Sequence, residues 1–216
     1  MVCYNTFMRK QNFALGEYYH LYNRGTEKRI IFKDRKDYEH FLHLMYICNT
    51  TKNIESRKIG EKFDRVETIV NIGSYCLMPN HFHILAREKS DNGISKYMLK
   101  LTTAYSMYFN KKYKRTGRLY EGTFKSKNIQ KDNYLKYLYS YIHLNPAKLI
   151  DKNWKENKNR KKIKLLKYVF DYPYSSIKEY NKEEYLILNP ENFPRYFKNL
   201  IEYKHELFEW LNFIEK

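Results

Sequence analysis

Apolar and polar positions change period along the chain, and the changes divide it into elements. Residues 17–24, Glu-Tyr-Tyr-His-Leu-Tyr-Asn-Arg, have strand composition and stop at Gly25. From about 35 to 48 the period lengthens. Tyr38, Phe41, Leu42 and Met45 recur on one helical face, and Asp34 stands where an N-cap belongs. Residues 49–65 are polar and read as loop. Residues 66–78 then read as a second strand and 81–87 as a third. Pro79-Asn80 between them is short enough to make the two antiparallel neighbours. Asp91-Asn92-Gly93 breaks the chain before a helix over about 94–111, with Ile94, Tyr97, Met98, Leu101, Tyr105 and Tyr108 on one stripe. Residues 119–126 read as a fourth strand. Asp132 is a candidate cap for a helix over 133–144. Asn145-Pro146 should close it, since a residue before proline is pushed out of the helical region. Leu135, Leu138 and Ile142 form its apolar seam, and Tyr134, Tyr137, Tyr141 and Asn145 lie on an adjacent face.

Strand, helix, strand, strand, helix, strand, helix is an α+β order. It fits a ferredoxin-like βαββαβ sheet with one additional C-terminal helix. Residues 1–12 read as a polar N-terminal arm and 13–180 as the domain. Residues 181–216 read as an aromatic-rich helical extension with a terminal helix from about 195. Residues 147–169 are dense in lysine and arginine. Tyr172-Pro173-Tyr174-Ser175-Ser176 reads as an ordered turn packing back on the domain.

Charge sharpens the picture. Lysine and arginine number 41 against 24 acidic residues, a net +17. Such an excess predicts a polyanionic partner. Aromatic residues are 18% of the chain, 23 of them tyrosine, and are interleaved with lysine, which suits a single-stranded nucleic acid. A genome rich in A and T would also raise Lys, Asn, Ile and Tyr together, but acidic residues would then drift little. No apolar run is long enough for a membrane span. The first residues lack a signal-type apolar segment, and the three scattered cysteines, Cys3, Cys48 and Cys76, contain no Cys-x-x-Cys. Both features predict a reducing cytoplasm and no structural zinc site.

The candidate chemistry sits at Met78-Pro79-Asn80-His81-Phe82-His83-Ile84-Leu85. Strand alternation sends His81 and His83 to one face and Phe82 and Ile84 to the other. Two neutral imidazoles side by side can hold one divalent metal with positions open for a phosphate oxygen. Histidines two apart also arise by chance, so the surroundings decide. Lys111 to Arg118 form a basic loop feeding the fourth strand, and Arg24-Gly25 ends the first. Arg24 is therefore a candidate DNA phosphate contact, equally readable as a surface cation, and Arg118 and Lys125 are candidate DNA phosphate contacts in or beside a basic run that is usually only a solvated face. His143 reads as a surface or supporting residue, not a ligand.

Four segments in this order resemble the HUH single-tyrosine transposases, most closely the REP-associated tyrosine transposase branch. They are Tyr-His-Leu-Tyr-Asn-Arg-Gly at 19–25, Met-Pro-Asn-His-Phe-His-Ile-Leu at 78–85, Leu-Tyr-Glu-Gly-Thr-Phe-Lys-Ser at 119–126 and Tyr-Ile-His-Leu-Asn-Pro at 141–146. Thr123 departs from the pattern, since many relatives carry arginine there. The resemblance implies His81 and His83 as metal ligands, Asn145 as a third, and Tyr141 as the nucleophile, with Tyr137 as its rival on the same face. It implies Mg²⁺ or Mn²⁺ and cleavage and rejoining of single-stranded or hairpin DNA through a 5′-phosphotyrosine. It also implies work in a bacterial cytoplasm or nucleoid, as a monomer or a homodimer. The competing classes are a domesticated DNA-hairpin-binding protein with little or no nicking activity, a replication or conjugation relaxase of the same chemistry, whose motif order fits less well, and an RNA-binding ferredoxin-like domain. The last would carry exposed aromatics where this strand has histidines.

Overall fold

Four strands pair antiparallel in the order β2-β3-β1-β4. They are β1 (Tyr18–Arg24), β2 (Val70–Met78), β3 (His81–Glu88) and β4 (Lys125–Ile129). The computed structural model describes residues 12–52, 63, 65, 67–154, 156 and 162–212. Nearly all of the predicted arm, Val66, and the basic residues Lys155, Lys158, Arg160 and Lys161 lie outside the described residues.

Alternation divides the sheet into two faces. One carries Tyr19, Leu21, Ile72, Leu77, Phe82, Ile84 and Ala86, all buried. Helices α1 (Arg35–Ile47) and α2 (Gly93–Lys112) cover it, and the Phe41 and Phe82 rings meet at 5.1 Å. The start of α1 is tied to the end of α2. Asp34 and Asp37 form a reciprocal capping box. The Asp37 carboxylate, fully buried, takes the Lys112 ammonium at 2.7 Å and the Tyr113 hydroxyl at 2.7 Å. A buried carboxylate is tolerable only with such partners.

The opposite face packs Cys76, Met78 and Leu85 against Leu138 and Ile142 of α3 (Asp132–Leu144). Helices α5 (Lys162–Asp171) and α7 (Leu200–Asn212) lie against α3 or one another, while α4 (Ala147–Ile150) and α6 (Ile177–Lys182) are short connectors. The sheet is thus sandwiched between helices on both sides. The 172–176 turn covers the β2 edge, as its sequence predicts. Leu77 donates its N–H to the Tyr174 carbonyl at 2.9 Å, and Tyr172 donates its hydroxyl to the Leu77 carbonyl at 2.7 Å.

Several boundaries differ from the sequence reading. The second strand begins at Val70, because residues 67–69 are not paired. The fourth is displaced to Lys125–Ile129. Leu119 and Tyr120 are buried instead, with Tyr120 bridging Gly25 and Glu121 donating its N–H to the Arg24 carbonyl at 3.0 Å. Continuous pairing with β1 starts only after that crossing. Asp132 does not cap α3: Lys131 occupies that position without a side-chain bond, and the Asp132 carboxylate accepts from the Tyr196 hydroxyl at 2.5 Å. The helix does end at Leu144, yet Asn145 keeps helical dihedrals (φ −52°, ψ −41°). Its side-chain Nδ2 donates to the Tyr141 carbonyl at 2.9 Å, replacing the main-chain bond that a continuing helix would make. The terminal helix starts at Leu200, and α5 occupies part of the lysine-rich run.

Candidate active site

Register builds the site on the α3 face. Cross-strand partners share a face. Arg24 stands opposite His81, and Tyr22 stands opposite His83 on one side and Lys125 on the other. His20 stands opposite Lys127. His81, His83, His20, Tyr22, Arg24, Lys125 and Lys127 therefore form one patch, with Arg24 and both lysines exposed.

The His81 and His83 rings lie 5.0 Å apart at 85°. His81 Nδ1 meets the Asn80 Oδ1 at 2.6 Å, and His83 Nδ1 meets His20 Nε2 at 2.9 Å. Neither ligand candidate uses its Nε2 in a hydrogen bond among the described residues. Helix α3 lays Tyr141 across this group, its ring 5.6 Å from His83 and 5.8 Å from His20, nearly perpendicular to both. Tyr137, one turn earlier, instead contacts Tyr134, Tyr141 and Trp210.

Burial sets the protonation states. It lowers His81 to about 4, helped by the charges of Arg24 and Lys148. It lowers His20 to about 4, helped by Lys127, and holds His83 well below its ordinary value, helped by His20 and His81. All three are neutral at pH 7, the form that can ligate a metal. Burial also raises the Tyr141 phenol, and Arg24 acts in the opposite direction.

Asn145 is buried, and its carboxamide turns back on its own helix. Its Oδ1 accepts from Lys148 Nζ at 3.3 Å, and its Nδ2 is held by the Tyr141 carbonyl. The described contacts do not join it to either histidine. Arg118 is exposed in the loop before β4 and makes no described contact with the histidines or Tyr141. Among the described residues no group of three or more His, Cys, Asp or Glu side chains is placed to hold a metal. The donors present are an imidazole pair with both Nε2 atoms unused. That set fits a loosely held divalent ion with open positions, not a closed structural site.

Sequence reasoning missed His20, Tyr22, Lys127 and Lys148. For His20 and Tyr22 the signal existed, because alternation puts them on one face with Arg24. Lys148 lies 5.8 Å from the Tyr141 ring and was hidden among many lysines. His143 is not a surface residue. It is fully buried, with Nε2 2.6 Å from the Ser176 hydroxyl and Nδ1 against the Tyr203 hydroxyl.

The family model described as "Transposase IS200 like" matches residues 17–145. Among solved structures, a REP-associated tyrosine transposase bound to a REP hairpin superposes with a TM-score of 0.54. Identity is 13%, over 90% of this chain and 95% of that one. A bacterial tRNA(His) guanylyltransferase-like protein in complex with ATP overlaps at a TM-score of 0.40, with 11% identity over 76% and 72% of the two chains. No curated protein matches the sequence.

Proposed function

The chain belongs to the IS200-like transposase family, and on that premise we propose that it cuts and rejoins single-stranded or hairpin DNA with Tyr141 as nucleophile. One observation carries the reading: among the tyrosines of α3, Tyr141 is the one whose ring lies against both His83 and His20. The hairpin bound by the REP-associated transposase of the same fold supports the substrate class.

A free phenol with a pKa of about 10 is roughly one part in a thousand ionised at pH 7. Burial of Tyr141 makes ionisation harder still. The nucleophile therefore depends on cationic help at the phosphate. Attack by Tyr141 Oη on the scissile phosphorus forms the tyrosyl–phosphate bond and breaks the bond to the 3′ oxygen. The proton lost by the phenol is balanced by one gained on the released 3′-hydroxyl. The phosphotyrosine keeps the energy of the diester for rejoining. A divalent ion, Mg²⁺ or Mn²⁺, held by His81 and His83 would supply polarisation of the phosphate and neutralise developing charge.

Arg24 and Lys125 flank the histidines and hold the backbone over the sheet face, with Lys127 extending the row. Asn145 as a third ligand requires its Oδ1 to exchange Lys148 for the ion. Arg118, exposed in the loop before β4, acts on DNA farther from the cut. We place the work in the bacterial cytoplasm. Among the described residues no helix is long and apolar enough to cross a membrane.

The test is incubation with labelled hairpin-flanked single-stranded DNA and Mg²⁺ or Mn²⁺. A covalent protein–DNA band is expected, lost with EDTA and in Tyr141→Phe but kept in Tyr137→Phe. Binding without a covalent band would favour the domesticated binder.

A further inference from the structure

Asn80 and His20 are not explained by the reaction, yet each touches the inner nitrogen of one proposed metal ligand. The Asn80 amide has its orientation fixed. Its Nδ2 lies 3.1 Å from the Lys28 carbonyl, which can only accept, so the remaining Oδ1 must face His81 Nδ1 at 2.6 Å. An oxygen there can only accept, so His81 Nδ1 carries the proton and Nε2 holds the lone pair. The turn itself is clamped: Gly25 donates its N–H to the Asn80 carbonyl at 2.9 Å, and Ile31 and Phe32 donate to the Pro79 carbonyl at 2.8 and 3.0 Å. The Asn80 side chain is thus presented from a fixed backbone.

His83 has the matching arrangement. Its Nδ1 lies 2.9 Å from His20 Nε2, with the ring centroids 5.0 Å apart, the planes inclined by 28° and both residues buried. A bond between two neutral imidazoles runs in one of two directions, and only one leaves a lone pair on His83 Nε2. We infer that Asn80 and His20 are positioning residues, fixing His81 and His83 as Nδ1–H tautomers so that both Nε2 lone pairs face a divalent ion together. This rests on the metal reading above. The physical reason is general: a ligating imidazole is held in orientation and made more basic by an acceptor on its other ring nitrogen. Here a carboxamide and a third histidine take the place that a carboxylate often fills. Among the described residues no carboxylate hydrogen-bonds either ligand.

The tautomers are readable without metal or DNA. Long-range ¹H–¹⁵N imidazole spectra of the ¹⁵N-labelled full chain in EDTA, assigned with His81→Gln and His83→Gln, should show both Nδ1 atoms protonated and both Nε2 atoms bare. Titration with Mn²⁺, followed by the EPR signal of the free ion, gives the second readout. His20→Phe keeps a ring but removes the acceptor, and should weaken Mn²⁺ binding about 10–100-fold. His20→Gln returns an acceptor near the same place and should recover most of that loss. Asn80→Ala should release the His81 tautomer. A proton on Nε2 of either ligand in the wild type would overturn the inference. So would a His20→Phe protein of native circular dichroism that binds Mn²⁺ as tightly as wild type. Wild-type protein with the expected tautomers that takes up no Mn²⁺ would instead refute the metal reading and leave the orienting pairs standing.

Discussion

Tyr203→Phe removes one oxygen far from the proposed chemistry, and its cost measures how firmly the tail helix holds the nucleophile's helix. Tyr203 lies on α7 and His143 on α3, two residues from Tyr141, and both are buried. The hydrogen bonds form one consistent chain. The Tyr203 hydroxyl donates to His143 Nδ1, and His143 Nε2 donates to the Ser176 hydroxyl at 2.6 Å. Ser176 then donates to the Tyr75 carbonyl at 3.3 Å and accepts the Tyr75 N–H at 2.9 Å. Helix α7, helix α3, the 172–176 turn and strand β2 are joined through a single imidazole. Burial holds that imidazole at about 3, so it stays neutral and the direction of the bonds is kept at any working pH. Without the Tyr203 hydroxyl, Nδ1 becomes a buried acceptor with no partner, which costs about 1–3 kcal/mol. We expect a loss of about 2 kcal/mol in urea unfolding followed by far-UV circular dichroism, with an unchanged denaturant slope. A cycle with His143→Phe should show about 1–2 kcal/mol of coupling. Covalent capture of DNA should fall in Tyr203→Phe, because α3 carries Tyr141. A Tyr203→Phe protein within about 0.5 kcal/mol of wild type, or a coupling near zero, would refute the picture of α7 as a brace for α3. If α7 braces α3, a chain ended at residue 180 should unfold or lose capture.

Lys148→Met removes the cation 5.8 Å from the Tyr141 ring and should slow covalent capture roughly 10²-fold, the scale of one lost charge-stabilising donor, with hairpin binding little changed in a gel-shift assay. His20 and His81 titrate near 4 in the fold and near 6.5 when unfolded, so between those values the unfolded chain binds more protons. Stability in EDTA should therefore be full above pH 6.5 and fall as pH drops through that window, by about 2 kcal/mol per imidazole at pH 5; equal urea midpoints at pH 7.5 and 5 would contradict this. Gly25→Ala places a Cβ 2.3 Å from the Arg29 carbonyl oxygen and 2.8 Å from Ile31 Cγ2, which forces apart the loop that clamps Pro79-Asn80. It should cost about 2 kcal/mol or more in thermal unfolding and weaken Mn²⁺ binding through Asn80.

The order of elements was legible in the sequence because period and punctuation are local. Alternation placed Phe82 inward and His81 and His83 together, and the helical stripes of α1 and α2 are the stripes that cover the sheet. The choice of Tyr141 over Tyr137 came from the family resemblance at residues 141–146, not from periodicity. The β2–β3 hairpin was legible from the short Pro79-Asn80 link, but the cross-strand neighbours of β1 and β4 were not, because they depend on register, which the sequence does not carry directly. Only the β2-β3-β1-β4 order puts His20 and Tyr22 beside His83, and Lys125 and Lys127 along the same row. The displaced fourth strand shows the same limit: Leu119 and Tyr120 have strand composition, and tertiary burial beside Gly25 overrode it. His143 is buried rather than on the surface, and the Asn145 carboxamide is held by protein partners, for one reason. The environment of a helix face depends on what packs against it. The tail helix, more than fifty residues downstream, buried His143, while Lys148 and the helix's own carbonyl took up the Asn145 carboxamide.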